Sequence, residues 1–86
     1  MPRDIDISIV RQGRCSVAHV EGDINWHNSG QVLAAILGLF DRPHPGRVIL
    51  DLQGAQHIDS SGISALLEAL QEAKMHNTRF ILAGLN

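Results

Sequence analysis

A chain of 86 residues with nine acidic and seven basic side chains, net charge −2, has room for one domain with a modest core and lacks the basic footprint of a nucleic-acid binder. A single cysteine excludes an internal disulfide, and no apolar run is long enough to cross a bilayer. With no secretory signal at its start, the expectation is one soluble cytoplasmic domain over 1–86, without membrane insertion or direct nucleic-acid binding.

Met1 to Arg3 are expected to fray. Ile5, Ile7 and Ile9 then alternate with Asp6 and Ser8, the period of a strand with one buried face. Gln12-Gly13-Arg14 supplies a turn and Cys15 to Glu21 a second strand, so an antiparallel hairpin is predicted that closes at Gly22-Asp23. Cys15 reads as a small core residue. Asn25, Asn28 and Ser29 are each able to cap the next helix. Its apolar stripe is Val32, Leu33, Ile36, Leu37 and Phe40. Asp41-Arg42-Pro43-His44-Pro45-Gly46 ends that helix, because neither proline continues it and each pushes its predecessor towards extended backbone.

Arg47 to Leu52 is a short, β-branched apolar run before Gly54, which predicts a buried strand. After Asp59-Ser60-Ser61-Gly62 the apolar residues Ile63, Leu66, Leu67 and Leu70 fall at i, i+3, i+4 and i+7 and predict one inward stripe on a helix. Glu68, Glu72 and Lys74 then lie on a solvated face. Asp59 or Ser60 supplies the N-cap, and Ser61 falls in the first turn near the positive end of the helix dipole. A cap needs only one of these polar residues; Gly62 behind two hydroxyls suggests a place that a partner approaches closely. His76-Asn77 ends the periodicity, and Arg79 to Ala83 is a last strand before Gly84. The order β-β-α-β-α-β, with right-handed crossovers between parallel strands, predicts an α/β fold: a small mixed sheet of about four strands, its hairpin at one side, with helices packed on it. Loops leaving parallel strands gather at one sheet edge, so Gly22 to Asn25 should share an edge with Asp59 to Gly62. Trp26 beside Asn25 reads as an exposed interface aromatic on that edge.

Neither Ser60 nor Ser61 sits in a Gly-x-Ser-x-Gly elbow, so no catalytic residue is assigned, and His57 reads as a solvent-facing loop histidine. The five histidines are irregularly spaced, none pairs at i, i+4, and only one cysteine accompanies them. No metal and no cofactor is expected.

Val48-Ile49-Leu50-Asp51-Leu52-Gln53-Gly54 followed by His57-Ile58-Asp59-Ser60-Ser61-Gly62 resembles the third strand and phosphorylation loop of the STAS family, of the anti-sigma factor antagonist type. Gly22-Asp23-Ile24-Asn25 is similar to that family's loop after the second strand, and the resemblance covers nearly the whole chain. It implies a switch and no enzyme. The unphosphorylated domain binds an ATP-dependent anti-sigma serine kinase, phosphorylation of Ser61 ends the interaction, and a Ser/Thr phosphatase resets it. Carried over by position, Asp59 contacts the kinase or orients the hydroxyl, Ser60 and Gly62 shape the loop, and Asp23 and Asn25 flank the binding surface. The same resemblance admits a scaffold subunit of a stress-signalling complex, or a STAS module of a lipid- or sulfate-transport system. The family continues past the last strand into a further helix that this chain lacks, so an uncovered apolar face at Ile81 or Leu85 is expected to favour self-association.

Overall fold

The computed structural model describes residues 5–41 and 46–85. Met1 to Arg3 and the predicted breaker at Arg42 to Pro45 lie outside them. The elements follow the predicted order: β1 (Asp6–Gln12), β2 (Cys15–Glu21), α1 (Ser29–Asp41), β3 (Arg47–Gly54), α2 (Ser60–Met75) and β4 (Arg79–Ala83). They form one four-stranded mixed sheet in the order β1-β2-β3-β4. β1 pairs antiparallel with β2, whereas β2–β3 and β3–β4 are parallel, as crossovers through helices require. Among the described residues no helix follows β4.

Alternation along the strands assigns the two faces. Ser16, Ala18 and Val20 of β2 and Val48, Leu50 and Leu52 of β3 are buried, while the residues between them are half-buried or exposed. Apart from Ile5 and the loop residue Ile24, the buried partners come from the helices, so both helices cover one face and leave the other to solvent. Val32, Ile36, Leu39 and Phe40 of α1 complete the core, and Phe40 meets Phe80 of β4 edge to face at 5.8 Å. Each such side chain, fully buried, contributes about 1.5–3 kcal/mol.

Three expectations are corrected. The inward face of α2 is Gly62, Ala65, Leu66, Ala69 and Ala73, not the leucine stripe. Ile63, Leu67 and Leu70 are 48%, 58% and 39% exposed. The large side chains of α1 fill the space between the helices, and α2 packs against α1 by presenting alanines spaced four apart. The leucines turn outward and, with Phe80 and Leu82, line an apolar groove of about 130 Å³. On β1, Ile5 is buried and Ile7 partly so, but Ile9 is 44% exposed, because this edge strand runs out from under the helices. Cys15, at the start of β2, is half-buried on the uncovered face and lies outside the core. As for the apolar surface expected at Ile81 or Leu85, Leu85 is 60% exposed while Ile81 is half-buried; the groove beside α2 exposes further apolar surface at Ile63, Leu67, Leu70 and Leu82.

Candidate functional site

The ends of β2 and β3 lead into loops that continue their pairing. Gly22, at φ +103°, turns the chain out of β2. Its N–H donates to the carbonyl of Gly54 at 3.0 Å, the N–H of Ile24 to that of His57 at 3.0 Å, and the N–H of Asp59 to that of Ile24 at 3.0 Å. An isolated parallel bridge joins Ile24 to Ile58. The two loops are thus held by the same backbone bonding as the sheet, as the shared edge inferred from the sequence requires.

Asp59 is the N-cap of α2: its Oδ1 accepts from the N–H of Gly62 at 3.0 Å and its carbonyl from the N–H of Ile63 at 3.0 Å. Its second carboxylate oxygen accepts from the N–H of Trp26 at 3.1 Å, across in the other loop. One carboxylate therefore caps the helix and ties the loops together. The sequence pointed to the cap alone, because the tie is made by a backbone group 33 residues away.

In the facing loop, the carbonyl of Asn28 accepts from the N–H of Val32 at 3.0 Å, the bond that opens α1. Its side chain works inside the loop instead, accepting from the N–H of Asn25 at 2.9 Å and donating to the carbonyl of Asp23 at 2.8 Å. Asn25 Oδ1 accepts from the N–H of His27 at 2.9 Å. Asp23 Oδ1 accepts from the N–H of His57 at 3.2 Å and stands 3.5 Å from its ring Nδ1. The His57 side chain is 80% exposed. Trp26 is 69% exposed, with its ring 3.6 Å from that of His27.

Ser60 and Ser61 occupy the first two positions of α2, Ser60 exposed and Ser61 half-buried. Among the described residues neither hydroxyl has a hydrogen-bond partner, and neither do their backbone N–H groups, which the cap leaves open. Gly62 faces inward. A Cβ there would lie 2.7 Å from Ile58 Cγ2, 2.8 Å from Ile24 Cγ2 and 3.2 Å from the Ile24 carbonyl oxygen. The space it leaves is taken by the protein's own loops, which corrects its reading as an opening for a partner. The edge so built presents Asp23, Asn25, Trp26, Asp59, Ser60 and Ser61 together. No group of three or more His, Cys, Asp or Glu among the described residues is placed to hold a metal ion, and no helix there is long and apolar enough to cross a membrane.

The STAS-domain family model matches residues 6–86. The chain belongs to the STAS family. As a STAS domain it is similar in fold to the antisigma-factor antagonist STAS domain from Rhodobacter sphaeroides, with a TM-score of 0.78 and 24% identity, over 93% of this chain and 86% of that one. It is also similar to the anti-sigma factor antagonist SpoIIAA in its unphosphorylated form, with a TM-score of 0.76 and 21% identity, over 94% of this chain and 74% of that one. A third likeness is to Mglu, with a TM-score of 0.72 and 22% identity over 87% of this STAS domain. The match spans only 18% of the Mglu chain. The same fold thus forms a small part of a much longer protein.

Proposed function

We propose that this STAS domain is a phosphorylation-controlled anti-sigma factor antagonist. It binds an anti-sigma serine kinase through the edge formed by Asp23, Asn25, Asp59 and Ser60, acts in the cytoplasm without catalysing a reaction, and is switched off by phosphorylation of Ser61. The observation that carries the reading is the start of α2: a serine in its first turn with a free hydroxyl, beside two unbonded backbone N–H groups, on a cap locked to the facing loop. A phosphoryl group adds about −1.5 to −2 charges at neutral pH. The open N–H groups and the helix dipole favour that anion, so the fold tolerates it. Asp59 and Asp23 lie close by, and a surface that met its partner with a neutral hydroxyl becomes strongly acidic. Binding ends by repulsion, with little refolding.

The test is intact-mass and fragment mass spectrometry of the protein from its own host, followed by binding of Ser61 variants to the kinase. Phosphate on Ser61, binding by Ser61→Ala and loss of binding by Ser61→Asp are the expected results. Phosphate confined to Ser60, or equal binding by both variants, refutes the assignment.

A further inference from the structure

The sheet face opposite the helices is uncovered, and its side chains fall into rows that cross all four strands in register. The middle row is Val10, Val17, Ile49 and Ile81, paired neighbour to neighbour. Val10 is 46% exposed and the other three are half-buried, so an apolar band crosses an open sheet. Towards one end of the strands lie Arg47 and Arg79, also register partners. Arg14 joins them, because its carbonyl accepts from the N–H groups of Gly46 at 2.9 Å and Arg47 at 3.1 Å, while Arg79 N–H donates to the Gly46 carbonyl at 3.1 Å. Among the described residues none of these three guanidinium groups meets a carboxylate. Like charges on adjacent strands are unfavourable unless something of opposite sign approaches.

Towards the other end the sign reverses. Asp51, in register next to Ala83, holds His19 at 2.8 Å, and Asp6 pairs with Glu21. The face is therefore cationic at one end, apolar in the middle and acidic at the other. We infer that this face is a self-complementary docking surface for a second copy of the chain. A two-fold axis lying in the interface along the apolar row sets that row on itself, Ile49 against Ile49 of the other copy. The same operation brings Arg47 of each copy opposite Asp51 of the other, so both charged ends are satisfied at once. Sheets packed face to face in this way sit about 10 Å apart, with strands aligned to within about 30°.

A face four strands wide, about 19 Å at a spacing of about 4.8 Å, is small for an interface, so the dimer is weak. This surface is distinct from the edge that carries Ser61, and its test does not depend on the switch. Sedimentation equilibrium up to about 1 mM protein registers even weak association. The wild-type chain is expected to dimerise. Raising the ionic strength from about 0.1 M to 1 M, which shortens the screening length from about 10 Å to 3 Å, should weaken the dimer. Arg47→Asp and Asp51→Arg should each raise the dissociation constant about tenfold, equivalent to about 1.4 kcal/mol, and the double variant should recover most of that loss. Leu67→Gln, in the groove beside α2, should leave it unchanged. A chain that stays monomeric throughout overturns the proposal. So does a dimer indifferent to Arg47→Asp, or one abolished by Leu67→Gln, which would place the contact at the leucine groove.

Discussion

Replacing Gly62 by alanine is the most direct challenge to the way the Ser61 edge is assembled. In an exposed helix interior, Gly→Ala stabilises by up to about 1 kcal/mol through backbone entropy. Here the new methyl group would stand 2.7 Å and 2.8 Å from the Cγ2 atoms of Ile58 and Ile24. Both are β-branched with stiff χ1, and both sit on loops pinned by ladder bonds, so neither can swing aside. Overpacking of this kind costs about 1–3 kcal/mol, which exceeds the propensity gain and leaves a net loss of about 1–2 kcal/mol. For a domain of this size that lowers Tm by about 5–15 °C. Urea unfolding followed by circular dichroism measures the loss. Trp26, the one tryptophan, reports separately whether the loops have been pushed apart. Gly38→Ala is the control, since a Cβ there meets nothing within 4 Å, and it should stabilise. A Gly62→Ala variant as stable as the wild type refutes the close-packing account.

Asp59→Ala removes the cap on Gly62 and the acceptor for Trp26 N–H together; unfolding should show a loss of about 1–2 kcal/mol, with a shift in Trp26 emission that a cap lost elsewhere would not cause. Asp51 has its pKa lowered, first by the N–H of Gln53 and then by His19. A lowered folded-state pKa gives stability that is present above the ordinary aspartate value and lost as pH falls through the folded value, so Asp51→Asn should lower stability near neutrality, flatten the acid limb of the stability–pH profile below about pH 4, and converge with the wild type at the acid end. The domain phosphorylated at Ser61 should keep its helical circular dichroism and its cooperative melt; loss of either would mean that the switch acts by unfolding.

The strands and their order were legible because parallel and antiparallel strands write short-range signals: alternation in β2 and a β-branched run in β3. The junction was legible for the same reason, since a cap and a first turn are local. The phase of α2 was not. Ile63, Leu66, Leu67 and Leu70 form a valid helical stripe, and so does the set of Gly62, Ala65, Ala69 and Ala73; which one turns inward depends on the bulk that α1 brings to the contact. Periodicity counts apolar residues and is blind to the size of the space they must fill. The role of Gly62 is hidden from the sequence for a related reason. A glycine at a helix start signals close approach, but nothing local says that the approaching group is Ile24 of the same chain.

The same long-range ties would suit the proposed modification of Ser61 to a signal carried by charge. A loop that held its shape only through side chains at its own surface would rearrange when one of them gained two negative charges. Here the shape is set by backbone bonds between Gly22 and Gly54, Ile24 and His57, and Ile24 and Asp59, and by a glycine that lets the helix seat on two isoleucines. None of those contacts involves the Ser61 side chain. The hydroxyl sits on a frame that does not depend on it, while the N–H groups of the first turn remain open to receive an anion. On the proposed reading, a phosphoryl group placed there would change the potential of the edge and leave its geometry in place, so that a partner would distinguish the two states by charge.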